Sequence, residues 1–287
     1  MKTLVEKAKI LIEALPYIQV LSGKTVVVKY GGSAMNDESI KNTILQDLTL
    51  LKYVGVNPIL VHGGGNEINN MLDRLNIKPE FHEGLRVTDA ETMEVVEMVL
   101  SGKINKQIVS DLNDLGAKAI GLSGKDANLI QAKKKATKDG FDLGYVGQIA
   151  KIDVGILNEL TANGYIPVIA PIGVGENGES YNINADIVAG EIAAALHAEK
   201  LMFLTDIDGI HMDPNDPETL ISIISVDQIY RLMEQRIIKG GMIPKVMGCI
   251  KGIEQGVART HIVNGTSPHP IILEIFTDKG IGTMVTR

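Results

Sequence analysis

The early part of the chain contains two consecutive units of a strand, a glycine-rich loop and a helix. In the first unit, the β-branched segment Lys24–Tyr30 is followed by two glycines and by a helix predicted over about Asp37–Tyr53. In the second, Asn57–His62 is followed by three glycines that lead directly into another helix. Repeated β-loop-α units predict parallel strands that lie side by side in one sheet.

The rest of the sequence continues to alternate strands and helices. A short hairpin is predicted within Ile77–Val87, and two helices over about Ala90–Leu100 and Lys103–Leu115. Strands with turns are predicted across Asn128–Ile152, and a later helix over Ala185–His197. The pattern indicates an α/β fold with a mostly parallel open sheet, in which ligand-binding loops gather at the carboxyl ends of the strands.

Size, charge and cysteine content exclude several classes of protein. The 287 residues are enough for one large domain or two small lobes. The net charge is −7 and no basic block is present, which argues against nucleic acid as the main partner. No apolar run approaches the roughly 20 residues that span a bilayer, and the acids near the N-terminus are unlike a signal peptide. The single cysteine, Cys249, excludes an internal disulfide, so we expect a soluble protein of the reducing cytoplasm.

Several familiar catalytic motifs are incomplete. The segment Gly23–Thr25 has only the end of the phosphate-binding motif G-x-x-x-x-G-K-[ST]. The segment Gly173–Gly178 matches G-x-G-x-x-G, but a polar stretch stands where the helix of a dinucleotide site should begin. No G-x-S-x-G elbow occurs, and the six histidines lack metal-binding spacing.

Three glycine-rich segments remain as candidate anion sites: Lys29–Ser33, His62–Asn66 and Gly240–Lys245, each interpreted as following a strand. Consecutive glycines let backbone N–H groups approach an anion closely, and a helix start adds a favourable dipole. The alternative is ordinary turn chemistry. Lys29 is either a strand-end lysine that reaches solvent or a phosphate ligand, and Asp186 is either a plain helix-start acid or the group that holds two lysines.

Six short motifs follow one another along nearly the whole chain: V-V-K-Y-G-G, L-V-H-G-G-G, E-G-L-R-V-T, Y-N-I-N-A-D, L-T-D-I-D-G-I and K-G-G-M-I-P-K. Together they resemble the amino acid kinase family, and within it the members that act on N-acetyl-L-glutamate. The resemblance implies a three-layer αβα sandwich built on one continuous sheet. It also implies a helical arm over residues 1–22, an amino-acid lobe over 23–180 and a nucleotide lobe over 181–287.

The resemblance implies transfer of the ATP γ-phosphate to the γ-carboxylate of N-acetyl-L-glutamate, for arginine synthesis. Lys29 and Lys245 would stabilise the transferring phosphoryl group, Gly32 and Gly64 would donate N–H bonds to it, and Asp186 would orient both lysines. The predicted substrate contacts are Gly64, Gly65, Arg86 and Asn182, with Arg86 on the α-carboxylate. The predicted nucleotide contacts are Thr205, Asp206, Asp208, Gly209, Ile210, Lys239, Gly240, Gly241 and Met242.

This chemistry agrees with the residues available. A carboxylate is already a nucleophile at neutral pH, so the reaction needs alignment and charge neutralisation rather than a general base. We expect Mg²⁺ to be held mainly by phosphates and water, with few dedicated carboxylate ligands.

The two ends of the chain carry a resemblance to the arginine-inhibited, hexameric branch of this family. The implied arginine contacts are Tyr17, Lys200, His261, Glu274 and Gly280. Thr266 departs from the family pattern, in which an arginine residue usually stands at this position, directly after the Asn/Asp-Gly pair. The helix Leu4–Leu15 is either a cap on its own core or an arm that docks on a partner, and the resemblance favours the arm. We therefore expect a homo-oligomer, a dimer or a trimer of dimers, and a P-II-type regulator is a further candidate partner.

Three alternatives stay open at this stage. The nearest is another member of the family, such as a glutamate 5-kinase or an aspartokinase-like enzyme. A second is a non-catalytic arginine-sensing protein on the same fold, against which the two lysines and Asp186 argue. A dehydrogenase would rest only on Gly173–Gly178.

Overall fold

The computed structural model describes residues 2–35, 37–213 and 216–287. Met1 of the predicted arm lies outside the described residues, as do the side chains of Leu4 and Ser33.

Strands occur along almost the whole described sequence. They are β1 (Thr25–Tyr30), β2 (Asn57–His62), β3 (Phe81–His82), β4 (Leu85–Arg86), β5 (Ala119–Ser123), β6 (Ile130–Lys134), β7 (Gly147–Ile152), β8 (Ile166–Ala170), β9 (Ile172–Val174), β10 (Ser180–Asn182), β11 (Lys200–Thr205), β12 (Ile223–Ser225), β13 (Arg259–Asn264) and β14 (Thr283–Thr286).

Helices connect most of these strands. They are α1 (Lys2–Glu13), α2 (Leu15–Leu21), α3 (Glu38–Tyr53), α4 (Gly65–Arg74), α5 (Ala90–Glu97), α6 (Asn105–Asp114), α7 (Gly155–Ala162), α8 (Ala185–Ala195), α9 (Val226–Glu234), α10 (Met242–Glu254) and α11 (Pro270–Ile275). Short 3₁₀ turns cover Gly32–Met35, Asp126–Asn128 and Pro217–Thr219, and a π-helical segment covers Met98–Ile104.

An eight-stranded sheet forms the centre of the protein, in the order β12-β14-β13-β11-β1-β2-β8-β5. Its pairs are parallel except for β13 with β14. Strand β1 pairs with β2 on one side and with β11 on the other, so the two predicted lobes share one sheet. The predicted mostly parallel α/β fold is confirmed, whereas the lobe boundaries stay a prediction.

The alternation of side chains along β1 divides the core into two layers. Val26, Val28 and Tyr30 pack with α3 to α6 on one face, and Val27 packs with α7 to α10 on the other. Because both faces of the parallel strands are covered, the strands are apolar almost throughout. Lys29 shares the face of Val27 and therefore points towards α8.

A second, four-stranded sheet has the order β10-β9-β6-β7. The segment Gly173–Gly178 lies within the antiparallel connection between β9 and β10, where Gly178 has a positive φ of 87°. The G-x-G-x-x-G match is thus a hairpin turn and not a dinucleotide loop. The predicted hairpin within Ile77–Val87 is present as the β3–β4 pair.

Three elements differ from the sequence predictions. The helices predicted over 90–100 and 103–115 form one run, because the π-helical segment joins α5 to α6 without a break. The helix predicted over Leu4–Leu15 ends earlier, at Glu13, and α2 begins at Leu15 with Pro16 in its first turn, where its missing N–H costs no hydrogen bond. The segment Gly240–Lys245 was predicted to follow a strand, and this was wrong: it follows α9 and begins α10.

Within the described residues, no helix has both the length and the apolar character that crossing a membrane requires.

Candidate active site

Loops from three neighbouring strands meet at one edge of the central sheet. Strands β11, β1 and β2 are adjacent and parallel, so their carboxyl ends point the same way. Gly31 and Gly32 follow β1, Gly63 and Gly64 follow β2, and Asp206 follows β11. This is the edge at which open parallel sheets bind ligands.

Lys29 forms an ion pair at this edge. Its Nζ lies 2.9 Å from Oδ1 of Asp186 in the first turn of α8. Asn184 caps that helix by accepting hydrogen bonds from the N–H groups of Asp186 (2.8 Å) and Ile187 (3.3 Å). The lysine side chain is 16% exposed and the carboxylate 49%, so the pair can still reach a ligand.

Lys245 approaches the same edge from the opposite side, in the first turn of α10. Its Nζ lies 2.8 Å from Oδ1 of Asp206 and also donates to Oγ1 of Thr205. The hydrogen bond from Lys245 is the main reason that the pKa of Asp206 falls to about 2. Asp186 was predicted to hold both lysines, but the structure pairs it with Lys29 only, because Asp206 occupies the second ammonium.

Between the two ion pairs lies a cavity of about 210 Å³. Lys29, Asp186, Asp206 and Lys245 all line it, together with Gly32. Residues from distant parts of the chain therefore converge on this cavity, and each of them lies in a motif that the sequence made conspicuous.

The positions of Gly32 and Gly64 favour glycine for different reasons, the backbone conformation at Gly32 and the packing of side chains at Gly64. Gly32 has φ of +71°, a conformation that side chains disfavour. A Cβ at Gly64 would lie 2.4 Å from Cδ1 of Ile104 and 2.6 Å from Cδ2 of Leu100, both buried. Gly64 is also the N-cap of α4, whose first N–H groups lack helical acceptors.

A larger cavity of about 540 Å³ adjoins the first and shares Lys29, Gly32 and Asp186 with it. Gly64 and Gly65 also line this cavity. Sequence reasoning missed several of its other lining residues: Met35, Glu38, Lys41, Asn66, Glu67, Lys103 and Gln107. Most of them lie on helices, where a charged residue usually belongs to the solvent-exposed face and gives no separate signal of a binding site.

Arg86 lies beside this cavity, and the residue as a whole is 9% exposed. Its Nη2 donates to Oδ1 of Asn69 at 2.7 Å and to the carbonyl of Gly65 at 3.3 Å, and its guanidinium lies 4.8 Å from the ring centroid of Phe81. Its Nη1 is buried and has no hydrogen-bond partner among the described residues. Buried donors are normally satisfied, so this atom has an open place for an acceptor.

Asn182 is linked to Arg86 through one residue. Its Nδ2 donates to Oγ1 of Thr88 at 3.2 Å, and that hydroxyl donates to the carbonyl of Arg86 at 2.9 Å. Of the predicted substrate contacts, Gly64 and Gly65 line the cavity directly, and Arg86 is bonded to the lining residue Gly65. Asn182 does not line the cavity and is connected to it only through Thr88 and Arg86.

A third cavity, of about 390 Å³, lies between the loop that follows β11 and the segment that leads into α10. Six predicted nucleotide contacts line it: Asp206, Asp208, Gly209, Ile210, Lys239 and Met242. Thr205 lines the 210 Å³ cavity, and Gly240 and Gly241 line none of the three described cavities. Sequence reasoning missed Ile207, His211, Ile237 and Ile238, because apolar residues near a loop give no signal distinct from the core.

Away from the cavities, three predicted arginine contacts form a buried chain. Lys200 Nζ lies 3.0 Å from Nε2 of His261, and His261 Nδ1 lies 2.7 Å from Oε1 of Glu274. The N–H groups of Ile281 and Gly282 donate to Oε2 of Glu274, both at 2.8 Å. Burial lowers the pKa of Lys200 to about 8 and that of His261 to about 4.

The other two predicted arginine contacts lie at the edge of this chain. Gly280 has φ of +64°, and a Cβ there would lie 2.5 Å from Oε2 of Glu274. The hydroxyl of Tyr17 donates to Oδ1 of Asp278 in the same loop. The structure therefore joins α2 to the loop that precedes β14.

Comparisons with known proteins bear on both sites. A model of the amino acid kinase family matches residues 24–264. The acetylglutamate kinase of Caldicellulosiruptor bescii is 59% identical over 99% of this chain and 98% of its own length. The acetylglutamate kinase of Heliobacterium modesticaldum is 56% identical over 98% of each chain.

A solved structure is also similar. The N-acetylglutamate synthase from Neisseria gonorrhoeae, complexed with coenzyme A and L-arginine, superposes with a TM-score of 0.82 and 25% identity. The similarity covers 97% of this chain and 65% of that one. The family model and the relatives each cover most of the chain, and the relatives share more than half of the aligned residues. The chain is therefore a kinase and belongs to the amino acid kinase family.

Proposed function

We propose that this kinase transfers the γ-phosphoryl group of ATP to the γ-carboxylate of N-acetyl-L-glutamate, giving an acyl phosphate for arginine synthesis. The observation that carries the proposal is the cavity bounded by Lys29–Asp186 on one side and Lys245–Asp206 on the other. It lies between the cavity with the glycine loops and the cavity with most of the predicted nucleotide contacts. The identity of the substrate is inferred from the relatives, which are named acetylglutamate kinases.

The proposed chemistry needs charge neutralisation at the point of transfer. The γ-carboxylate attacks without a general base, and negative charge spreads over the transferring phosphoryl oxygens. Lys29 and Lys245 would stabilise that charge from opposite sides, and the N–H groups of Gly32 and Gly64 would donate to it. The carboxylates of Asp186 and Asp206 would keep both ammonium groups at the cavity before the ligands arrive.

Arg86 would bind the α-carboxylate of the substrate. A guanidinium matches a carboxylate with paired donors, and Nη1 of Arg86 is a buried donor in need of an acceptor. Asn182 would contact the same molecule from β10, where Thr88 connects the two residues. The cavity of about 540 Å³ has room for an acylated amino acid.

Mg²⁺ would accompany the nucleotide. Two carboxylates, Asp206 and Asp208, line the nucleotide cavity. Such a pair fits Mg²⁺, which often keeps several waters and binds through substrate phosphates with one or two carboxylates. The ion would supply charge neutralisation on the phosphates, while Asp206 and Asp208 are the nearest carboxylates of the nucleotide cavity.

A panel of acids tests the proposal. ADP release is measured with N-acetyl-L-glutamate, L-glutamate, L-aspartate and carbamate, each with ATP and Mg²⁺. We expect turnover with N-acetyl-L-glutamate and little with the others. L-glutamate and L-aspartate carry a positive ammonium group in place of the neutral amide, and carbamate lacks the α-carboxylate that Arg86 would bind. Turnover with another acid alone would contradict the assigned substrate and would favour a glutamate 5-kinase, an aspartokinase or another member of the family.

We further propose that arginine inhibits the enzyme at the cluster formed by Lys200, His261, Glu274, Gly280 and Tyr17. Glu274 offers a buried carboxylate that a guanidinium could share, and Tyr17 connects the cluster to the N-terminal helices. The synthase that resembles this chain was solved with L-arginine. The same panel run with arginine tests this part, and unchanged turnover at saturating arginine would contradict it.

The proposed assembly is a homo-oligomer, a dimer or a trimer of dimers, docked through the N-terminal arm. Leu11 and Ile12 on α1 are 73% and 67% exposed, which is unusual for large apolar side chains on a single helix. Binding of a P-II-type regulator stays a prediction.

A further inference from the structure

His62 is the last residue of β2 and is completely buried, although it adjoins the glycines of the 540 Å³ cavity. It does not line the cavity itself, and the proposed chemistry gives it no part. Its two ring nitrogens have different partners. Nδ1 lies 2.8 Å from the carbonyl oxygen of Gly63, and Nε2 lies 3.2 Å from Nδ2 of Asn105.

Asn105 determines which ring nitrogen carries the proton. It is 1% exposed, and its Nδ2 also donates to the carbonyl of Val168 at 2.9 Å. Because Val168 offers only an acceptor, the amide presents its N–H side here, and Nζ of Lys106 donates to its Oδ1 at 3.2 Å. The other amide hydrogen has two acceptors within reach, Nε2 of His62 at 3.2 Å and the more distant carbonyl of Leu122 at 3.4 Å. Nε2 of His62 is then the acceptor, so Nδ1 carries the proton and donates to Gly63. Burial lowers the pKa of His62 to about 4, which agrees with a neutral ring.

The carbonyl of Gly63 and the N–H of Gly64 belong to the same peptide unit. No cis peptide occurs among the described residues, and in a trans unit the C=O and N–H point in opposite directions. A hydrogen bond that holds the Gly63 carbonyl towards the buried ring therefore directs the Gly64 N–H away from it, towards the cavity. The N–H of Gly63 is already bound to the carbonyl of Tyr30 at 2.7 Å.

We propose that His62 is a positioning residue that fixes the Gly63–Gly64 peptide, with Asn105 as the residue that sets its tautomer. The inference rests on the proposed phosphoryl transfer, in which the Gly64 N–H binds the transferring group. Glycine on both sides gives this peptide wide conformational freedom, and the hydrogen bond from His62 restricts it in addition to the backbone bonds of Gly63 to Tyr30 and of Ile68 to Gly64.

A matched pair of substitutions tests the inference. His62→Asn places an amide N–H near the position of Nδ1 and can still donate to Gly63. His62→Gln places its amide near Nε2 and cannot. We expect His62→Gln to lower kcat by about 10- to 100-fold, less than the full loss of a donor, while KM for both substrates changes by less than about threefold. We expect His62→Asn to retain kcat within about threefold of wild type.

The comparison separates positioning from a structural role. Equal losses of kcat in the two variants, with equal losses of thermal stability, would overturn the inference, and so would full activity of His62→Gln. An independent reading comes from the ¹⁵N spectrum of the histidine rings in the wild-type protein, with His62 assigned by its absence in His62→Asn. A proton on Nδ1 supports the inference, and a proton on Nε2 overturns it. This measurement needs no substrate, so it decides the inference even if N-acetyl-L-glutamate proves not to be the acceptor.

Discussion

Both lysines that line the 210 Å³ cavity have a carboxylate partner. Lys29 lies 2.9 Å from Asp186, and Lys245 lies 2.8 Å from Asp206. These ion pairs hold the flexible lysine side chains in place, so the proposed reaction would lose less conformational entropy in ordering them. In that reaction, an arriving phosphate would have to share each ammonium group with a carboxylate.

Replacing Lys245 tests the contribution of one of these cations. We expect Lys245→Ala to lower kcat by about 100-fold or more with the fold intact, because one donor to the transition state is lost. The measurement is steady-state ADP release, with circular dichroism to check folding. Lys251→Ala is the control: Lys251 lies on the same helix, but it pairs with Glu191 outside the described cavities and should leave kcat unchanged. Retained turnover in Lys245→Ala would remove Lys245 from the site.

The sequence predicted the residues of the site better than their contacts. Lys29 and Asp186 stand out, since a lysine ends an apolar strand and an acid begins an alanine-rich helix. The partner of Lys245 did not stand out, because Asp206 lies 39 residues away and looks like part of the nucleotide loop. Spacing along a chain does not reveal which of two nearby carboxylates an ammonium will reach.

At the scale of elements, α3 and α11 are joined by one buried carboxylate. Asp47 on α3 is fully buried, and it accepts hydrogen bonds from the N–H groups of Ile271 (3.1 Å) and Ile272 (3.3 Å) and pairs with Nδ1 of His269 (2.7 Å). It therefore caps α11 from another helix. Since α11 carries Glu274, the cap also supports the proposed arginine cluster.

Removing this cap should destabilise the protein. We expect Asp47→Ala to reduce the free energy of unfolding by about 2 to 4 kcal/mol, because two buried N–H groups lose their acceptor. The midpoint of urea unfolding measures the effect. Asp37→Ala is the comparison, since Asp37 caps α3 at an exposed position and its loss should cost less. Equal shifts for the two variants would argue against a special contribution from Asp47.

The elements themselves were largely predictable where a pattern repeats. The two β-loop-α units, the β3–β4 hairpin and α8 were identified from hydrophobic spacing and turn residues. The π-helical segment Met98–Ile104 was not, because one additional residue inside a helix changes neither its composition nor its apolar character. The sequence also did not reveal that the segment before α10 connects two helices, because a glycine pair gives the same turn signal after a strand and after a helix.

At the scale of the whole molecule, one sheet spans both proposed lobes, and α2 packs Tyr17, Ile18 and Leu21 against one side of the core. Leu11 and Ile12 on α1 and Val20 on α2 are exposed, and Tyr17 joins α2 to the proposed arginine cluster. An arm that docks on a neighbouring copy would cover these side chains and connect assembly with inhibition.

Truncating the arm tests this connection. We expect deletion of Met1–Pro16 to convert a hexamer into dimers and to weaken inhibition by arginine, because the exposed apolar face is removed. Light scattering coupled to size exclusion gives the mass, and ADP release with increasing arginine gives the inhibition. The substitution Ile223→Glu, at a similarly exposed apolar position on β12, should leave both unchanged. An unchanged mass after truncation would contradict the docking arm.

The π-helical segment has a consequence for how this chain can vary through evolution. Ile104 at its end approaches Gly64, and the adjoining Asn105 contacts His62. A π-helical turn absorbs one extra residue and keeps the helix after it in phase. Loss of one codon between Met98 and Ile104 would therefore restore an ordinary helix with Asn105 on the same face, whereas a further insertion would turn everything after it by about 100°. After such an insertion Asn105 would face elsewhere, and the Gly63–Gly64 loop would lose its support although none of its own residues had changed. At this point the gene tolerates the loss of a codon better than the gain of one.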